Sequence, residues 1–285
     1  MTSIERVDNP ADERLTLFCE ARDGDALRRA GAFMGEGMLV LERLLAPDAR
    51  FGVRALLVDE RRLDDALAKI TRGARPLPAD TPLYVASPRV IESIVGFRFH
   101  QGVLTLGERG PERDALHVVD EAPGATADAR PATLVVLENL VDHDNIGSAF
   151  RNAAGFGARA VLLSPSCADP LYRKSIRTSM GHALRVPFGR FADTDWPAGL
   201  HALRERGYVV AALTPAPDAV DVDAFARSLP NDRRLALLLG SEGPGLSGKT
   251  MRAADARVSI PMAPGADSIN VAAALAVALH ALRPR

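Results

Sequence analysis

Three stretches from residue 138 onward in this 285-residue chain carry the residue types of a binding pocket. They read ENLVDHDNIGSAFRNAAGFGA (138–158), LLLGSEGPGLS (237–247) and IPMAPGADSINVAAALAVAL (260–279). Each begins at the end of an apolar run that reads as a strand. Each then passes through a loop of Gly, Asp, Asn or Ser and enters a helical pattern. Ligands of open α/β sheets sit at the carboxyl ends of strands, so these stretches predict three edges of one site. Asn145 stands at a predicted helix start, where an asparagine cap is ordinary. Arg151 follows one and a half turns on, so that both can face one edge of the helix start. Its guanidinium fork suits a phosphate. Glu242, in a Gly-rich loop at a strand end, could hold Arg151 or Asn145 by a charge-assisted bond. Ser268 could cap the last helix, with Asn270 beside it. Ile260 and Met262 suit either an apolar ligand slot or plain core packing.

Elements that could position these residues are legible. From 132 onward, strands alternate with helices: TLVVLE (133–138), a helix over 145–157 closing on Gly157, ARAVLLS (158–164), a basic helix over 172–183, LRVPF (184–188), a helix over 197–207, then YVVAAL (208–213), RLALLLG (234–240) and RVSIP (257–261). The C-terminal segment from Ile269 to about Leu282 reads as an apolar helix. That alternation predicts a parallel sheet. Upstream, FMGEGMLVLERLLA (33–46) reads as helical through Met38, Leu41 and Leu45. VRALLV (53–58), PLYVAS (82–87) and GVLTLG (102–107) read as strands, and 63–70 and 88–96 as helices. Residues 1–22 read as a charged, frayed tail. Residues 111–131 read as a Gly/Pro-rich linker, with a short strand possible around LHVVD. The expected domains are therefore 23–110 and 132–285.

Composition narrows the function classes. A net charge of −1 offers no global basic excess, so nucleic acid would need a local patch. Arg173, Lys174, Arg177 and Arg185 form such a cluster, although a charge run is ordinarily a solvated face. Phe97, Arg98, Phe99, His100 and Gln101 form a second candidate contact, in which Phe97 and Phe99 fit a core equally well. The two cysteines, Cys19 and Cys167, make no disulfide framework. The acidic N-terminus does not read as a signal peptide, and no apolar run reaches a membrane span. A soluble cytoplasmic protein is expected. The six histidines are scattered and no Cys/His spacing suits a metal.

One pattern points elsewhere. Gly243–Thr250 (GPGLSGKT) fits the phosphate-binding loop G-x-x-x-x-G-K-[ST] and follows a strand. Such a loop needs a helix whose first turn caps the phosphates, and the next strand begins by about Arg257. Lys249 is better read as a solvated helix residue. No dinucleotide fingerprint and no nucleophile elbow are present.

The three stretches together resemble the three motifs of the SpoU-type (TrmH-like) RNA 2′-O-ribose methyltransferases of the SPOUT superfamily. RTSMGHALRVPF (177–188) resembles the segment between the first two motifs. FMGEGMLVLERLL and FRFHQGVLTL (97–106) are similar to an N-terminal RNA-binding domain like ribosomal protein L30e. The resemblance implies an α/β fold with a C-terminal trefoil knot, a homodimer, S-adenosylmethionine as cofactor, no metal, and rRNA or tRNA as partner. It implies that Arg151 is catalytic, with Asn145, Glu242, Ser268 and Asn270 around it. It implies a cofactor held by Leu213, Thr214, Gly240, Ser241, Glu242, Gly245, Ile260, Met262, Ser268 and Ile269. RNA is expected on Arg151, Arg173, Lys174, Arg177 and Arg185. The third motif usually reads S-L-N-V-S; here it is Ser268-Ile269-Asn270-Val271-Ala272, lacking the last hydroxyl. Two alternatives are a non-catalytic RNA-binding module of the same fold and a phosphate-loop nucleotide hydrolase.

Overall fold

A computed structural model describes residues 3–122 and 131–283. The strands are β1 (Ile4–Arg6), β2 (Ala32–Glu36), β3 (Gly52–Asp59), β4 (Leu83–Ala86), β5 (Val103–Glu108) and β6 (Ala132–Leu137). They continue with β7 (Ala160–Leu163), β8 (Phe188–Arg190), β9 (Tyr208–Leu213), β10 (Val220–Asp221), β11 (Arg234–Leu239) and β12 (Ala256–Ser259). The helices are α1 (Thr16–Cys19), α2 (Gly24–Arg29), α3 (Met38–Leu44), α4 (Leu63–Arg72), α5 (Pro88–Val95) and α6 (Ala115–Glu121). After them come α7 (His143–Gly155), α8 (Arg173–Thr178), α9 (Gly199–Glu205), α10 (Val222–Ser228), α11 (Gly248–Ala253) and α12 (Val271–Ala281).

The chain divides into two units, Met1–Pro111 with Pro170–Arg185, and Glu112–Asp169 with Val186–Arg285. The second holds a seven-stranded sheet in the order β10-β12-β9-β11-β6-β7-β8, parallel throughout. Its central strands are unbroken apolar runs because helices cover both faces. Leu134, Val136, Leu162, Val210, Ala236 and Leu238 form its core with helix residues such as Val118 and Leu203. In this register the carboxyl ends of β6, β11, β9 and β12 lie side by side, and all three motif loops leave from that edge.

The first unit holds a mixed five-stranded sheet in the order β1-β4-β3-β5-β2. Residues 4–22 belong to it and are not a frayed tail. Strand β1 pairs with β4, and Leu15 and Phe18 are buried in the core. Sealing each of these side chains from water is worth about 1.5–3 kcal/mol, which outweighs the local charge. FMGEGMLV is likewise not one helix. Ala32–Glu36 pairs with β5, Gly37 turns at φ 92°, and only then does the helix begin. The linker reading also changes, since Ala115–Glu121 is a helix capped by Asp114; residues 123–130 of the expected linker lie outside the described residues. LRVPF is not a strand. Its first residue ends a 3-10 turn, and the strand starts at Phe188.

Pro170–Arg185, expected within the second domain, packs with the first unit. The cause is tertiary. Ile176 and Leu184 are buried, the Arg50 amide donates to the Leu184 carbonyl, and Arg173 pairs with Glu36. The Arg185 Nε donates to Asp48 at 2.7 Å and holds that carboxyl below the usual carboxylate range. Among the described residues, no helix is long and apolar enough to cross a membrane and no group of three or more His, Cys, Asp or Glu could hold a metal ion.

Candidate active site

A cavity of about 650 Å³ opens at the carboxyl ends of β9, β11 and β12. That volume suits a drug-sized or cofactor-sized ligand. Its walls are Leu213–Pro215 after β9, Leu239–Leu246 after β11, Ile260 and Met262 after β12, and Ser268–Val271 with Ala274 at the start of α12. Met251 closes one side. All ten residues expected around the cofactor line this space, as does Asn270. Asn145 and Arg151 do not line it.

The loop after β11 is folded tightly on itself. The Gly245 amide donates to the Ser241 carbonyl at 3.0 Å. Gly243 and Gly245 adopt φ of 80° and 67°, a region that costs a side-chain-bearing residue free energy. Gly240 lies flat beneath the turn, where a Cβ would collide with the Gly245 and Leu246 backbone. The cavity therefore has apolar walls from Leu239, Leu246, Ile260 and Met262 and exposed backbone groups along Gly240–Gly245. A flat aromatic base needs that combination.

Three motif residues meet at Asn270. Its Nδ2 donates to Asn145 Oδ1 at 3.0 Å and to Glu242 Oε1 at 2.7 Å. Its Oδ1 accepts from the Ala272 and Ala273 amides at 2.9 and 3.2 Å. An asparagine side chain has two donor hydrogens and one acceptor oxygen, and all are engaged. Asn270, not Ser268, is thus the cap of α12. Asn145 is not a cap either. The helix begins two residues earlier, and Asp142 accepts from the Asp144 and Asn145 amides. That releases the Asn145 side chain toward α12. One heptad on, Asn152 Nδ2 donates to the Ala272 carbonyl at 2.7 Å, so Asn145 and Asn152 form one polar stripe against α12. Ala272 is buried there, with both backbone groups occupied.

Arg151 is placed differently from the expectation. Six residues at about 100° each carry it about 120° round the helix from Asn145. It is exposed, on the face that bears Asp144. Among the described residues no hydrogen bond or ion pair engages its guanidinium. Glu242 pairs with Asn270 and reaches Asn145 only through it. Ser268 and Ile269 are exposed at the cavity rim.

In the first unit, the expected basic cluster divides. Arg173 and Arg185 are committed to Glu36 and Asp48. Arg173 also lies 4.4 Å from the Phe97 ring centroid, and Arg22 lies 5.3 Å from it. Phe99 is core. Arg177, Arg98, His100 and Gln101 are exposed.

The phosphate-loop pattern loses its geometry. Its helix, α11, has six residues. The Ser247 hydroxyl caps that helix by accepting from the Thr250 amide, and the Thr250 hydroxyl donates inward to Glu138 at 2.8 Å. Lys249 is exposed. Lys249→Ala should therefore leave turnover within about twofold, as surface substitutions do; a dead variant in a methyl-transfer assay would reinstate the nucleotide-hydrolase reading. Cys167 is not a candidate nucleophile, because burial pushes its thiol pKa up.

Three residues were missed. Leu246, inside the second stretch, and Met251, just beyond it, wall the cavity without having been singled out, and Glu138 was read only as a strand end. The sequence shows an acid closing an unbroken apolar strand, but not the distant donors that give it a role.

A parallel α/β sheet with a cavity at its strand ends, where one asparagine joins three loops, places the chain among the α/β proteins built to bind a ligand at the carboxyl edge of the sheet. The profile of the SpoU rRNA Methylase family matches residues 132–280, and the chain belongs to that family. It is 41% identical over 284 residues to an uncharacterised tRNA/rRNA methyltransferase of Mycobacterium bovis, covering 97% of this chain and 91% of that one. The AdoMet-bound rRNA methyltransferase from Sinorhizobium meliloti has the same fold, with a TM-score of 0.77 at 23% identity over 98% of this chain and 97% of that one. A solved RNA 2′-O ribose methyltransferase gives a TM-score of 0.73 at 23% identity, over 97% of each chain.

Proposed function

We propose that this chain methylates a ribose 2′-hydroxyl of rRNA or tRNA, with S-adenosylmethionine as donor. The supporting observation is the cavity itself: loops from the second and third motifs enclose it, and Asn270 ties them to the first. Leu213, Thr214, Gly240, Ile260, Met262 and Ile269 would hold the donor through backbone groups and apolar contacts. When bound, the donor would supply a methyl group on a positively charged sulfur, whose C–S bond breaks as the 2′-oxygen bonds to the carbon, leaving a neutral thioether.

The protein's share is positioning. Arg151 is exposed and uncommitted, so its fork is available to a phosphate and the attacking hydroxyl. A guanidinium stays protonated in proteins, so Arg151 orients and stabilises charge while the proton leaves to phosphate or water. Asn145, Asn270 and Glu242 fix the relation between the Arg151 helix and the donor loops. Asn270→Asp tests this bridge. The aspartate keeps the cap but donates to neither neighbour and sets a second carboxylate against Glu242. Turnover should fall about 10- to 100-fold with the melting midpoint within about 2 °C. Unchanged turnover would remove Asn270 from the mechanism.

The same reading gives a C-terminal trefoil knot, an L30e-like first unit that carries RNA through Arg177 and its neighbours, and action in the cytoplasm. It also gives a homodimer. Phe156, just past α7, and Val277 on α12 are 42% and 44% exposed, and the Phe156 ring lies edge-on to His280; a second copy would cover these apolar side chains. Sedimentation at the mass of one chain would refute the dimer. The reaction is tested by incubating the chain with methyl-labelled donor and cellular RNA, then hydrolysing with alkali. Label in an alkali-resistant dinucleotide supports ribose methylation, and label released on a base overturns it.

A further inference from the structure

Glu138, one residue past β6, is 2% exposed and serves no step derived above. Its backbone amide donates to the Leu239 carbonyl at 2.8 Å, immediately before Gly240. Its carboxylate receives three donors. Oε1 accepts from the Thr250 hydroxyl at 2.8 Å and from the Trp196 indole at 3.1 Å. Oε2 accepts from the Ser247 amide at 2.9 Å. Ser247 directly follows Leu246, the last residue of the loop that walls the cavity, and Thr250 is wholly buried.

We propose that Glu138 is a positioning residue for the donor loop: one carboxylate grips Ser247 and Thr250 and so fixes the Gly240–Leu246 turn. The proposal rests on reading the cavity as the donor site. Both ends of the turn are then held, Gly240 through the β6–β11 register and Leu246 through Ser247. Chemistry selects an acid here. Three donors and no acceptor face the group, and only a carboxylate accepts at both oxygens. A glutamine must turn its amide toward either the Ser247 amide or the indole, which leaves a donor facing a donor in a buried place. The same contacts account for the Ser and Thr of the GPGLSGKT string, which here anchor a loop.

The test compares wild type, Glu138→Gln and the isosteric Thr250→Val by calorimetry with S-adenosylhomocysteine, by steady-state kinetics and by the indole N–H resonance of Trp196, the only tryptophan. Glu138→Gln should raise the Kd and the donor KM about tenfold or more, hold kcat at saturating donor within about threefold, and shift the indole resonance. Thr250→Val should raise the Kd about three- to tenfold. A purely structural role would lower the melting temperature and leave the Kd of the folded fraction unchanged. Wild-type affinity in both variants overturns the proposal alone. A wild-type chain that binds no S-adenosylhomocysteine overturns the donor-site reading and the proposal with it. If Glu138→Gln fails to fold, Thr250→Val decides: a raised Kd supports the proposal and an unchanged one overturns it.

Discussion

Arg151→Ala should lower methyl transfer by about a hundred- to a thousandfold while leaving the affinity for S-adenosylhomocysteine within about twofold. On the proposed role, the variant loses a charge that would orient the reacting phosphate and oxygen, where one such donor is commonly worth a factor of about 10²–10³. The selectivity follows from the geometry. Arg151 is exposed on α7 and absent from the cavity wall, so the donor loops lose nothing when it is truncated. Its helix is secured elsewhere, by the Asp142 cap and by the hydrogen bond from Asn152 to the Ala272 carbonyl of α12. Steady-state rates and calorimetry on the same preparation separate the two effects. Full turnover in the variant would remove Arg151 from the chemistry. A lost affinity would place it in the donor site.

Gly240→Ala should do the reverse and damage donor binding. The added Cβ would meet the Gly245 and Leu246 backbone, which cannot swing aside as a flexible side chain can. Overpacking of this kind costs about 1–3 kcal/mol. If the turn relieves it by lifting from the sheet, the Kd for S-adenosylhomocysteine should rise about a hundredfold, since about 1.4 kcal/mol is tenfold. Affinity within about threefold of wild type would show that the turn after β11 does not form the donor site.

The residues that line the cavity were legible because the strand-end loops of a parallel sheet announce themselves locally. A closed apolar run, a glycine where backbones touch and an asparagine at a helix start are properties of short sequence. RLALLLG ending at Gly240 and SIN opening α12 both showed this. Motif order did the rest, through resemblance. What escaped depends on contacts distant in sequence. Nothing local in YRKSIRTSMGHALR (172–185) reveals that Ile176 and Leu184 pack with the first unit or that Arg173 and Arg185 are spent on Glu36 and Asp48. The charge of residues 4–22 hid β1, whose partner lies some eighty residues on. FMGEG was absorbed into the following helix because a positive φ at Gly37 leaves no periodic mark. The angular relation of Asn145 to Arg151 was open to arithmetic on an ideal helix, and six residues do not return to one face. Glu138 was invisible for a different reason, since the three donors that define it come from two other segments.

The central claim is that the hollow lined by Gly240–Leu246, Ile260–Met262 and Ser268–Val271 holds the methyl donor. A crystal structure of the chain grown with S-adenosylhomocysteine tests it most directly. The base should lie against Ile260, Met262 and Leu246 with its polar edge on the Gly240–Gly245 backbone. Density for the ligand elsewhere on the chain, with those side chains closed over the hollow, would contradict the account.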